Sequence, residues 1–262
     1  MAIRTTQVSA GGRQVRVLEA GSGRPLVLIH AFPLTADLFR PQLEAPPPGW
    51  HLVAPDVLEP PERSMDDYAA RIEAVVEALG LSDSSLVVGG VSMGGYIMFS
   101  LLRRAVLPVR ALVFADTRAE ADTEEGRAAR QKMIALVDEA GAEGVAREMV
   151  PKLLGETTKR ERPDAAATVQ GLITRNSPVA IRSAVAAMMA RPDSTPLLAS
   201  IAVPTLVVVG EEDVLTPPPN AETLARGVRG SRLVRIARAG HLASFERPDV
   251  FTAELVRFLD GV

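Results

Sequence analysis

The chain has 262 residues, 47% of them hydrophobic, which is enough to bury a substantial core at the upper end of single-domain size. Its formal charge of -3, with charges alternating in sign, gives no basic footprint for nucleic acid or another polyanion. There is no cysteine, which excludes disulfides, Cys-built zinc sites and thiol catalysis, and the three histidines argue against a His-built metal cluster.

The first stretch, MAIRTTQVSAGGRQVRV, lacks a basic region followed by an apolar one, and no apolar run nears the roughly 18 residues of a membrane span. A soluble, cytoplasmic protein with no membrane partner is expected. Residues 3–8 and the alternating QVRVLEA (14–20) read as an antiparallel pair turned at Gly11-Gly12, with 14–20 as an edge strand. Six short apolar runs follow, at 24–30, 51–56, 84–90, 109–116, 203–210 and 231–237. Their continuous character suits strands covered on both faces, as in a parallel sheet.

Helical patterns fall between the runs. Residues 64–80 carry Ser64 as N-cap, Asp66 and Asp67 in the first turn and Gly80 at the end. Residues 93–105, 220–229 and 246–260 read as further helices, and the alternation argues for an open α/β sheet. Between 117 and 202 there is no convincing strand, only helical patterns at 123–140, 142–154, 163–174 and 178–190. This predicts a core of residues 1–116 and 203–262 with a helical lobe, 117–202, inserted over the crevice where open α/β sheets bind ligands. Its Met133, Ile134, Leu136, Val137, Met149, Val150, Leu153, Leu154, Met188 and Met189 read mainly as helix packing, with a minority facing the crevice.

The segment Gly90-Val91-Ser92-Met93-Gly94 follows a strand run and opens a helix. Two readings compete: a nucleophile on a strained strand-to-helix turn, with small residues two before and two after it, or an ordinary N-cap hydroxyl. A serine nucleophile needs a base and an orienting acid. His241, in the loop after the last strand run, is the candidate base, and Asp213, after the 203–210 run, the candidate acid. Asp116, which ends another run, is the rival acid, while Glu211 and Glu212 read as solvated loop residues. His51 reads as structural. Backbone N–H donors for an oxyanion are expected from Met93 and from Phe32, since Pro33 has no N–H; His30 would brace that loop.

With these residues in place, LVLIHAFPL, SMDDYAARIEAVVEALG, VGGVSMGGYIMFSLLRR, VRALVFADTRAEADTEEGRAAR, PTLVVVGEEDVLTPP and AGHLASFERPDVFTAELVRFL resemble the α/β-hydrolase superfamily. The likeness is nearest to its esterases, enol-lactonases and cofactor-free haloperoxidase or perhydrolase-like members. The resemblance implies an α/β fold with a mostly parallel eight-stranded sheet, helices on both faces and an inserted helical cap. It also implies Ser92, Asp213 and His241 as triad, Phe32 and Met93 as oxyanion donors, and no cofactor or metal. Two departures stand out. The usual H-G turn is His30-Ala31, and an arginine-glycine loop is replaced by DVLEPPERS (56–64) with Pro60-Pro61.

Serine at the elbow excludes the branches that use aspartate there. Hydrolysis of a small or medium carboxylic ester or lactone through an acyl-enzyme is the leading expectation, and perhydrolysis would use the same triad. The alternatives are a non-catalytic receptor and cleavage of a carbon-carbon bond in a dienoic acid. The latter would ask for groups gripping a carboxylate, for which Arg118, Arg175 and Arg191 are candidates if they are not simply surface arginines. Phe32, Met93 and Tyr96 are candidate pocket walls, with Tyr96 also readable as core-facing.

Overall fold

Gly11 and Gly12, with φ of 58° and 76°, turn β1 (Arg4–Ala10) back on β2 (Arg13–Gly21) as an antiparallel hairpin, a backbone conformation that glycine adopts without steric cost. The computed structural model describes residues 2–59, 61–82 and 85–262. Six further strands follow: β3 (Arg24–Ile29), β4 (Trp50–Pro55), β5 (Leu86–Val91), β6 (Val109–Ala115), β7 (Thr205–Gly210) and β8 (Arg232–Ile236). Together they form one sheet in the order β1-β2-β4-β3-β5-β6-β7-β8. β2 pairs antiparallel with β1 and β4, and the later pairings are parallel. Every residue of β5 and β7 is buried, as strands covered on both faces must be.

One expectation is corrected here. The alternating 14–20 run does not lie at the edge; β1 does, and β2 sits inside it. Arg13 and Gln14 of β2 are exposed, while its Arg16 and Glu19 are paired with neighbouring side chains. Arg16 donates to Asp37 and Asp56 at 2.8 and 2.9 Å, and Glu19 accepts from Arg4, Thr6 and His51. Alternation therefore survives in an interior strand. The strand expected from residue 84 is seen from Leu86; Ser84, like Pro60 of the proline pair, lies outside the described residues.

A 3-10 turn at Ala36–Phe39 leads into α1 (Arg40–Glu44), neither of which shows a clear sequence pattern. Helix α2 (Met65–Ala78) begins as expected: the Asp67 N–H donates to Ser64 Oγ at 3.1 Å, and Gly80 closes the end at φ 69°. α3 (Met93–Arg104) follows β5. Between β6 and β7 the described residues contain no strand. They form α4 (Glu124–Leu153), α5 (Glu156–Glu161), α6 (Pro163–Thr174), α7 (Pro178–Met189) and a 3-10 turn at Thr195–Ser200. The two helices expected at 123–140 and 142–154 are one run broken at Gly141, whose φ of 59° and ψ of -160° are not helical. The short α5 carries no sequence periodicity. After β7 come α8 (Pro218–Gly227), α9 (Ala243–Glu246) and α10 (Pro248–Leu259). The last helical pattern, expected from 246, is thus split before Pro248, which takes the first position of a new helix. Among the described residues no helix is long and apolar enough to cross a membrane.

Candidate active site

The turn from β5 into α3 holds Ser92 at φ 54°, ψ -111°, a strained conformation for a residue with a side chain. Small neighbours make this turn sterically feasible. A Cβ at Gly90 would lie 2.6 Å from the Gly94 carbonyl oxygen and 2.7 Å from Met98 Sδ, and one at Gly94 would run into the Ile29 carbonyl of β3. Hydrogen bonds lock the backbone: Ser92 N–H donates to Ala115 at 2.9 Å, and its carbonyl accepts from Gly95 N–H at 2.9 Å and Thr117 Oγ1 at 2.7 Å.

The hydroxyl does not cap the helix. No backbone N–H of α3 donates to it; instead it lies 2.8 Å from His241 Nε2. The other ring nitrogen, Nδ1, faces Asp213 Oδ2 at 2.9 Å and Oδ1 at 3.0 Å. A carboxylate can only accept, so Nδ1 carries the proton and Nε2 is left as the acceptor of the Ser92 O–H. All three side chains are buried.

Asp213 is held in place by its own loop. Oδ1 accepts the Leu215 and Thr216 N–H groups at 2.8 and 3.0 Å, and Oδ2 accepts the Thr216 hydroxyl at 2.7 Å. Thr216 was not singled out from the sequence, although Asp-x-x-Thr ahead of proline is a side-chain-closed turn signature. Burial alone would raise the Asp213 pKa, but His241 and the Thr216 bonds outweigh it and hold it at about 2, below its ordinary 3.8. The resulting stability is fully present above the unfolded value of 3.8 and is lost as pH falls through about 2, a contribution of roughly 2 kcal/mol. Urea unfolding of the native chain is therefore expected to lose about that much more stability between pH 4 and pH 2 than unfolding of Asp213→Asn; equal losses would contradict the assignment.

The rival acid does something else. Asp116 is buried beneath the site, with Oδ1 accepting from Gly210 N–H at 2.8 Å and Oδ2 from Ala243 N–H at 3.0 Å. Burial and the neighbouring Asp213 charge push its carboxyl well above the usual range. It ties the ends of the acid and histidine loops together and makes no hydrogen bond to His241.

Two glutamates extend this bracing. Glu246 is buried and accepts from Gly240 and Leu242 N–H on either side of His241, at 2.8 and 3.1 Å, and from Gly155 N–H at 2.8 Å. Two of its donors belong to its own loop, and the third, Gly155, arrives from the helical segment. Glu212, expected to be solvated, is instead bound to α5 by Thr157 N–H at 2.8 Å and the Thr157 hydroxyl at 2.5 Å; its pKa falls because these bonds outweigh burial. Glu211 is exposed. The helical segment is also fixed on its opposite side, where Asn176 Nδ2 donates to the Pro33 and Leu34 carbonyls at 2.9 and 3.1 Å.

Phe32 and Met93 flank the serine, and neither amide donates to a protein acceptor among the described residues. His30 is buried behind that loop: its Nε2 accepts the Val57 N–H at 2.9 Å while Nδ1 meets the Ala31 carbonyl at 3.0 Å. Burial keeps its pKa low, so the ring is neutral with Nδ1 as donor. His51 pairs with Glu19 on β2, far along the chain from these loops.

Ser92 and His241 open into a cavity of about 560 Å³. Phe32 and Tyr96 line it; the Met93 side chain does not and is packed in the core. From the inserted segment only Met133, Leu136, Met149 and Met188, of the ten apolar residues considered, face the cavity. Arg118 also lines it, whereas Arg191 lies behind Tyr96 with its guanidinium 4.1 Å from the ring centre, and Arg175 is spent on Asp37 at 3.0 Å. Among the described residues no group of three or more His, Asp or Glu is arranged to hold a metal ion.

The sheet order, the strand-to-helix turn and the serine, acid and histidine loops at the carboxyl ends of the parallel strands define an α/β hydrolase. Residues 24–248 match the alpha/beta hydrolase fold family, and the chain belongs to it. Among its relatives is the pimeloyl-[acyl-carrier protein] methyl ester esterase of Neisseria meningitidis serogroup C, 29% identical over 256 residues that cover 91% of this chain and 94% of that protein. A thermophilic esterase from Thermogutta terrifontis superposes with a TM-score of 0.90 at 30% identity, covering 100% of this chain and 99% of that one. The enol-lactonase of Burkholderia xenovorans LB400 shares the fold, with a TM-score of 0.87 at 20% identity over 97% of this chain and 100% of that one.

Proposed function

We propose that this chain is a serine hydrolase that cleaves a small or medium carboxylic ester or lactone through an acyl-enzyme. One observation carries the reading: the Ser92 hydroxyl is hydrogen-bonded to a histidine whose far nitrogen is held by a buried carboxylate, at the wall of a cavity. The ester-cleaving relatives support it. Residues 117–202 act as a cap over that cavity.

In this mechanism Ser92 Oγ attacks the ester carbonyl while His241 Nε2 takes its proton. Negative charge gathers on the carbonyl oxygen, and the Phe32 and Met93 amides receive it. His241 returns the proton to the departing alcohol oxygen, and the C–O bond breaks to leave the acyl group on Ser92. Water then enters, gives a proton to His241 and attacks the acyl carbonyl; His241 returns that proton to Ser92 Oγ as the acyl C–O bond to serine breaks and the carboxylic acid leaves. Asp213 fixes the imidazole tautomer and stabilises the imidazolium formed in each half.

Intact mass after exposure to a small fluorophosphonate tests the proposal. The native chain is expected to gain one adduct, and Ser92→Ala none. A folded native chain that stays unlabelled and turns over no simple ester overturns it in favour of a non-catalytic receptor.

A further inference from the structure

We propose that the cavity takes an ester that also carries an ionised carboxylate, read by Arg118 and Arg130; this rests on the serine hydrolase reading above. The chain as a whole is acidic, at -3, yet the charged residues facing the cavity run the other way. Four cationic side chains, Arg118, Arg130, Lys132 and Lys152, line it against two acidic ones, Asp122 and Glu148, a surplus of two positive charges. Lys152 and Glu148 pair with each other at the rim.

Lys132 carries one of these two charges, and the other lies around Asp122. Its carboxylate is buried and faces three arginines: Arg118 at 2.5 Å and Arg191 at 2.8 Å on one oxygen, and Arg130 at 3.1 Å on the other. Burial would raise the pKa of Asp122, but Arg130 and Arg191 keep it below the usual carboxylate range, so it stays ionised and cancels one charge of three. Arg191 does not line the cavity: besides Asp122 it donates to the Met188 and Glu120 carbonyls, lies on the face of Tyr96 and neighbours Asp193, although its buried Nε takes no partner. Glu120 contributes its carbonyl here, while its buried Oε2 takes no partner.

Arg118 and Arg130 differ from Arg191. Both line the cavity, both keep about a quarter of their side-chain surface exposed (24% and 22%), and each gives Asp122 a single nitrogen. The remaining guanidinium donors suit the planar, two-oxygen geometry of a carboxylate. The one positive charge that Arg118 and Arg130 keep beyond what Asp122 neutralises, together with Lys132, in a partly apolar wall, favours an anion in the ligand. Tyr96, one turn of α3 beyond Ser92 and a cavity wall with it, lies beside Arg118 and against Arg191, so the cluster shares the cavity with the nucleophile.

The test compares three esters of similar size by pH-stat titration on the intact chain: monoethyl adipate, with the carboxylate on the acyl side; the acetate ester of 4-hydroxybutanoate, with it on the alcohol side; and neutral ethyl hexanoate. At least one anionic ester is expected to exceed the neutral one in kcat/KM by about tenfold or more, and the better arm says which side faces the arginines. Arg130→Gln is expected to reduce that preference by about tenfold, chiefly through KM, with Arg130→Lys intermediate. Turnover of ethyl hexanoate equal to or faster than that of both anionic esters overturns this inference and leaves the hydrolase reading standing. Failure of fluorophosphonate labelling together with no turnover of any ester overturns both.

Discussion

Asp213→Asn is expected to lower kcat by about four orders of magnitude while the chain still folds. Asparagine keeps Oδ1 for the Leu215 and Thr216 amides, so the loop retains its main bonds. Its Nδ2, however, donates where Oδ2 accepted. The imidazole then moves its proton to Nε2, which can no longer receive the proton of Ser92. Asp116→Asn should behave differently. Asp116 is already pushed toward its neutral form and has no bond to His241, so the amide disturbs only its ties to Gly210 and Ala243. A stability loss of about 1–3 kcal/mol is expected there, from one buried N–H left facing an amide N–H, with turnover within about tenfold of native. Ester hydrolysis beside thermal unfolding of both variants checks this. The reverse pattern would make Asp116 the acid.

The second large effect is on the fold. Gly94→Ala is expected to destabilise the chain by about 3 kcal/mol or more, a fall in Tm of roughly 6–12 °C for a domain of this size. The new Cβ would overlap the Ile29 carbonyl, which belongs to the backbone of central strand β3, paired on both sides. Backbone in a buried sheet cannot rotate away as a side chain can, so α3 must lift from the sheet and carry Ser92 with it. Gly95→Ala is the internal comparison, because the Cβ there meets the Thr117 side chain instead of backbone; it also crowds the hydroxyl that holds the Ser92 carbonyl, so a smaller loss is expected there too. Calorimetry of the two variants should place Gly94→Ala clearly lower, with slower fluorophosphonate labelling. Equal melting temperatures would mean the close approach of α3 to β3 matters less than its geometry implies.

The amino-acid sequence by itself determined the elements whose causes are local. Continuous apolar runs marked the covered strands, Ser64 and Gly80 bounded α2, and small residues around Ser92 marked the turn into α3. The order of serine, acid and histidine loops was legible because each follows a strand end. What needed the tertiary structure was the choice among partners distant in the chain. Asp116 and Asp213 both end strands and both carry carboxylates; which one meets His241 depends on how neighbouring strand ends lie side by side, and no periodicity encodes that. The same holds for β2, which lies inside the sheet with Arg16 and Glu19, on opposite faces, paired to Asp37, Asp56 and Arg4. Glu212 and Glu246 look like surface residues until Thr157 and Gly155 arrive from the helical segment to use their oxygens. Patterning reports which face of a segment is buried, whereas the identity of a hydrogen-bond partner is settled only when the segments meet.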